Sequence, residues 1–161
     1  MSESLNDYVT LSYISQGEAA LRLLLAALLA AAMGFEREIK GKPLGLRPFL
    51  LIGMGACLAV LATMELAYNA SLEELLSVDP AKVIGGILGG IGFLGAGALF
   101  QKEDHVRGAA TAASIWMTGV IGIACGVGYL IPAALATAVA LLTLYLGRIR
   151  RRSETEKGDN A

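Results

Sequence analysis

Charge is scarce through most of this sequence, and other chemistry is scarcer. Histidine occurs once, at His105, in a charged loop without nitrogen or sulfur ligands beside it, so a metal site there is not expected. The two cysteines, Cys57 and Cys125, both lie in apolar runs. They give neither a zinc spacing nor a disulfide framework, and buried structural thiols are the expectation. Lys and Arg are missing from the first 18 residues, which carry Glu3, Asp7 and Glu18 instead. A secretory signal needs a positive segment before its apolar stretch, so the first apolar run is expected to stay in the mature protein. No P-loop and no nucleophile–base pair is present, which sets an enzyme aside. The net charge of -1 gives no footing for nucleic acid.

What is abundant is apolar surface. The chain of 161 residues is 55% hydrophobic before its 20 glycines are added, and its mean hydropathy is +0.62. Soluble domains run at about 45–50% apolar with glycine included. Five apolar runs stand out: Ala19–Phe35, Pro48–Tyr68, Val83–Phe100, Val106–Gly126 and Pro132–Gly147. A bilayer-spanning helix needs about 20 residues, and Tyr129–Ile131 can lengthen the fifth run. Only helices and closed barrels pair every backbone group inside lipid, and continuous rather than alternating runs favour helices. The expected fold is therefore all-α: a polytopic membrane protein with five transmembrane helices in a glycine-rich, close-packed bundle. Residues 1–18 form an extracytoplasmic segment, residues 19–147 the membrane domain, and residues 148–161 a basic cytoplasmic tail too short and polar to hold a core.

Basic residues set the expected orientation. The Gly34–Arg47 loop holds Arg37, Lys40, Lys42 and Arg47, the Gln101–Arg107 loop holds Lys102 and Arg107, and the tail holds Arg148, Arg150, Arg151, Arg152 and Lys157. Only Arg22 and Lys82 fall on the other side, where the Asn69–Lys82 loop carries Glu73, Glu74 and Asp79. Five alternating spans place the N-terminus outside and the C-terminus in the cytoplasm. Four would put the basic tail beside the acidic N-terminus.

Three features carry finer information. Gly85, Gly86, Gly89, Gly90, Gly92, Gly95 and Gly97 crowd the third run, with two overlapping G-x-x-x-G pairs. Such stripes let helix backbones approach closely in lipid, either inside one bundle or as a homodimer face or hinge. The segment GFEREIKGKPLGLR is the densest polar stretch, with Glu36/Lys40 and Glu38/Lys42 at i,i+4 and breakers at Gly41, Pro43 and Gly45. Pro48 suits the first turn of the second helix, and Asp104 could cap the fourth. Arg47 and Arg107 then stand at two inward helix N-termini, a geometry able to bind an anion or simply to fix topology at the headgroups. Within the spans, Arg22 and Glu65 lie at matched depth on oppositely running helices. They read as an intramembrane charge pair, or Glu65 as part of a cation path.

The pattern VIGGILGGIGFLGAGALF, then VRG, then AATAASIWMTGVIGIACGVGY resembles the signature of the MgtC/SapB membrane-protein family, and GFEREIKGKPLGLR resembles that family's first cytoplasmic loop. The resemblance covers about Gly34 to Tyr129. It implies a five-helix bacterial inner-membrane domain associated with magnesium limitation and, in better-known members, with virulence and partner complexes such as the ATP synthase. By motif position the matching residues are Glu36, Arg37, Gly45, Arg47, Gly92, Phe93, Gly95, Gly97, Arg107, Gly108, Thr111, Ser114 and Trp116. Of these, Glu36, Arg37, Arg47, Arg107, Thr111, Ser114 and Trp116 are the expected binding residues. Pro48-Phe49 replaces a Thr-His pair and Ala109-Ala110 a Leu-Thr type pair, and the family's C-terminal cytoplasmic regulatory domain is expected to be missing. No cofactor is expected; magnesium enters as a ligand or substrate, and the partners are lipid, a second copy or a membrane complex. A membrane-bound regulator is the preferred reading, with transport of magnesium or another small ion as the alternative. Magnesium wants several oxygen ligands, and the spans supply few carboxylates.

Overall fold

A computed structural model describes residues 13–42, 44–69, 79–102 and 105–158. Residues 1–12, most of the acidic Asn69–Lys82 loop, and Asp104 lie outside the described residues. Five helices are long and apolar enough to cross a membrane. They are α1 (Gln16–Ile39), α2 (Leu46–Asn69), α3 (Pro80–Gly97), α4 (Ala109–Val127) and α5 (Leu130–Gly158), with a short antiparallel ribbon of β1 (Phe100–Lys102) and β2 (His105–Arg107) between α3 and α4.

Local sequence sets the ends. Ser15 caps α1 by accepting from the Glu18 N–H at 3.1 Å, the S-x-x-E arrangement of a capping box. Asp79 caps α3 by accepting from the Ala81 N–H at 2.9 Å, and Pro80 takes the first helical position, where a missing N–H costs nothing. Gly128 ends α4 at φ +97°, its N–H bonded to the Ala124 carbonyl at 3.1 Å. Pro48 falls in the first turn of α2 as expected. Glu38, however, reaches over the turn to the Leu46 N–H at 2.8 Å and caps α2, while α1 ends at Ile39 and leaves Lys42 beyond the helix.

The third and fourth spans differ most from expectation. Helix α3 stops at Gly97 and α4 starts at Ala109, because the residues between form the ribbon and a glycine. Gly108 sits at φ +96°, and a Cβ there would run into the Ala98 carbonyl at the end of α3. The helix cap is thus Gly108, not Asp104, and it offers no side-chain bond to the first turn. At the other extreme, α5 carries its helical backbone through the basic stretch to Gly158.

Helix α4 is the hub, packing on each of the other four. More than half of its span is buried (56%), against 11% for each of α3 and α5. Lipid offers no hydrophobic drive for helices to associate, so closeness of fit must hold them. Glycines supply it: Gly122 lies against the Gly53 backbone of α2, Gly126 against the Cys57 carbonyl and Val60, and Gly34 of α1 against Leu46 and Phe49. Ile91 of α3 fits into the notch at Gly119. Met33, Phe49, Val60, Ile115 and Ile121 fill the centre, and both cysteines are buried and free.

The crowded glycines of α3 are placed otherwise. Gly95 rests on Ala112, but Gly85, Gly86, Gly89, Gly90, Gly92 and Gly97 have no neighbour among the described residues within 4 Å of where a side chain would start. Packing among the described residues therefore does not account for six of the seven.

Candidate functional site

Contacts between helices sort the polar residues into two ends. At one end meet the C-terminal part of α1, the start of α2, the start of α4 and the later part of α5. At the other meet the start of α1, the C-terminal part of α2, the end of α4 and the start of α5.

The first end holds a buried ionic cluster. Arg37, on the last turns of α1, keeps only 4% of its side chain exposed and donates from Nη2 to Thr111 Oγ1, in the first turn of α4. Glu36 pairs with Lys40 one turn on, and its Oε2 lies 4.0 Å from Arg37 Nη1. Lys40 Nζ also reaches the Leu144 carbonyl of α5 at 3.4 Å, tying a sparsely buried helix to the bundle. Two buried atoms in this cluster have no hydrogen-bond partner among the described residues: Glu36 Oε2 and Arg37 Nε. Orphaned buried polar atoms are rare because each carries an uncompensated desolvation cost.

Thr111 is unusual in its row. Thr63, Ser114, Thr118 and Thr137 each donate to the carbonyl four residues earlier. Thr111 instead accepts from Arg37.

Of the residues expected to bind, the fold thus gathers Glu36, Arg37 and Thr111. Ser114 is buried on the same face of α4 but spends its hydroxyl on the Ala110 carbonyl at 2.6 Å. Trp116 is 45% exposed and points away. Arg47 is exposed in the first turn of α2 and Arg107 lies in β2; of Arg37 and Arg47, it is Arg37 that bonds to α4. Spacing alone could not rank the two, since both follow glutamates in one short segment. Lys40's hold on α5 had no sequence signal at all, because its acceptor is a backbone carbonyl 104 residues away.

The opposite end corrects the expected Arg22–Glu65 pair. Arg22 pairs with Glu18 one turn earlier and donates to the Gly126 carbonyl at 2.9 Å. Its guanidinium also lies against Gly128, closing the C-terminus of α4 where a cation meets the negative end of the helix dipole. Glu65 accepts from the Tyr13 N–H at 3.0 Å and from Asn69 at 2.8 Å, and Tyr13 meets Tyr68 in a tilted contact with ring centroids 6.0 Å apart. Matched depth was a sound inference; nearer partners intercept both charges.

With this geometry in place, similarity to known proteins is informative. Residues 23–152 match the MgtC family. This chain belongs to that family. The MgtC protein of Brucella abortus is 38% identical over 112 residues, covering 70% of this chain and 44% of its own length. Protein SapB of Bacillus subtilis is 33% identical over 120 residues (74% and 52%), and the Escherichia coli protein named "Putative magnesium transporter YhiD" is 36% identical over 111 residues (69% and 52%). The chain spans about half the length of these relatives. No solved structure matches it. Family membership and five apolar helices together make it a multi-pass membrane protein.

Proposed function

We propose that this MgtC-family chain is a bacterial inner-membrane protein linked to magnesium homeostasis, acting by regulating a partner membrane complex. The link to magnesium rests on its relatives. The mode of action rests on one observation, the open glycine face of α3. Gly85, Gly86, Gly89 and Gly90 present two adjacent rows without side chains, with exposed Phe93 beyond them. In lipid such a surface is suited to receiving another helix at short range, whereas a lipid-facing helix has no use for so many glycines. The charged groups inside the spans are meanwhile engaged with protein partners: Glu18 with Arg22, Glu36 with Lys40, Glu65 with Tyr13 and Asn69.

In this reading the basic end faces the cytoplasm, which the distribution of Lys and Arg supports. A strain lacking the gene, grown in low magnesium, tests the proposal. Gly86→Leu with Gly90→Leu should fail to complement at normal membrane abundance. Purified protein in sealed proteoliposomes should pass no magnesium. Magnesium flux above protein-free vesicles would replace the regulatory reading with transport, the activity named for the Escherichia coli relative.

A further inference from the structure

The start of α4 combines three features. Its first turn receives no side-chain cap, because the capping residue is Gly108. The Arg37 guanidinium, with its side chain 4% exposed, is applied to that turn through Nη2 and Thr111 Oγ1. Finally, Arg37 Nε is buried and has no partner among the described residues. Nε and Nη2 share one edge of the guanidinium plane, the edge that grips the two oxygens of a carboxylate or phosphate. One prong of that fork rests on a neutral hydroxyl and the other is empty. The Thr111 hydroxyl accepts from Arg37, so its own proton is available to an acceptor.

The unspent donors at this point are the Arg37 Nε–H, the Thr111 O–H and the uncapped N–H groups at the positive end of a 19-residue helix; the buried Glu36 Oε2 is an unspent acceptor in the same cluster. Among the described residues, Glu36 is the carboxylate that lies against Arg37. It is paired with Lys40, and its near contact is with Nη1, the nitrogen remote from Nε. Glu36, Arg37 and Lys40 together leave the cluster with one positive charge in excess.

We infer that the α1–α4 junction is a phosphate-binding site, in which Arg37 takes two oxygens of a phosphate group through its Nε/Nη2 edge while Thr111 and the first turn of α4 hold a third. The site is independent of the regulatory reading above and would stand if that reading failed. Its chemistry fits either a lipid headgroup phosphate at the membrane surface or free inorganic phosphate.

The test uses the full chain purified in a maltoside detergent without phosphate, followed by thermal unfolding. One arm adds inorganic phosphate against chloride at equal ionic strength. The other adds phosphatidic acid against an uncharged glycolipid with the same acyl chains. At a hundredfold excess over Kd, the responding source should raise Tm by about 5 °C or more. Response to phosphate alone identifies a free anion, and response to phosphatidic acid alone a headgroup; both support the site. Arg37→Lys keeps charge but loses the fork, and should weaken binding about tenfold. Thr111→Val, which keeps shape and adds no charge, should weaken it in the same direction and decides the matter if Arg37→Lys does not fold. Arg47→Lys, on the exposed first turn of α2, should bind as the parent does. The inference is overturned if neither source raises Tm, if Thr111→Val and any folded Arg37→Lys bind like the parent, or if Arg47→Lys loses as much as Arg37→Lys.

Discussion

Two glycine-to-alanine changes, each adding one methyl group, should have opposite effects. At Gly122 the new carbon would press on the Gly53 carbonyl of α2 while lying 3.0 Å from Ala56 Cβ and 3.1 Å from the Gly53 carbonyl carbon. Side chains can rotate away from such pressure; a helix backbone cannot. Overpacking a well-filled interior costs about 1–3 kcal/mol, and an opposing backbone puts Gly122→Ala toward the upper figure. At Gly90 the same carbon meets nothing within 4 Å among the described residues. There the change only relieves the entropic penalty of a mid-helix glycine, a gain of up to about 1 kcal/mol.

The two variants should thus differ by about 3 kcal/mol or more, roughly a hundredfold in the folding equilibrium. Reversible unfolding in mixed micelles with rising dodecyl sulfate, read from the fluorescence of the single tryptophan, Trp116, measures the difference. If Gly122→Ala unfolds at the same detergent fraction as Gly90→Ala, the α2–α4 crossing is not closed by glycine and the account of the bundle is wrong.

At the end opposite the ionic cluster, Arg22→Gln should cost about 1.5–3 kcal/mol by the same unfolding measurement, because it strips a charged donor from the Gly126 carbonyl. A double-mutant cycle should find coupling of about 0.5 kcal/mol between Arg22 and half-exposed Glu18 and near zero between Arg22 and Glu65; a strong Arg22–Glu65 term would restore the pair that the fold replaces. Reporter fusions after residue 15, within the 70–78 segment and after Gly158 should place the first two outside and the last in the cytoplasm, and a cytoplasmic N-terminus would reverse the assigned orientation.

Helix number and the polarity of the two ends were legible in the sequence because they depend on quantities that add up along the chain. A run such as Pro48–Tyr68 is apolar whatever it packs against, and positive loops count the same wherever their side chains turn. Helix ends were legible where the signal is local, as with Ser15 and Glu18 or Asp79 and Pro80. They were not legible at the start of α4. The expected apolar run begins at Val106, yet the chain there pairs with β1 and then turns at Gly108, whose positive φ and contact with Ala98 depend on where α3 ends.

The ionic cluster and the glycines failed to be ranked for a shared reason. Arg37 and Arg47 have the same charge and lie in the same loop motif, and Gly90 and Gly122 are both glycines in apolar helices. What separates each pair is which helix stands opposite, a fact of tertiary structure. Arg37 is buried because Thr111 comes to it on α4, and Gly122 is indispensable because Gly53 comes to it on α2. Both depend on α4 being the central helix. Motif density is highest on α3, six of whose seven clustered glycines meet nothing among the described residues; the glycines that close the bundle are spread thinly along α1, α2 and α4. In a membrane, where apolar surface is the rule and carries no ranking, a residue's part is set by its partner across the interface more than by its own kind. The open rows on α3 follow the same logic: no helix among the described residues stands opposite them, and the proposed reading assigns that place to a helix of another chain.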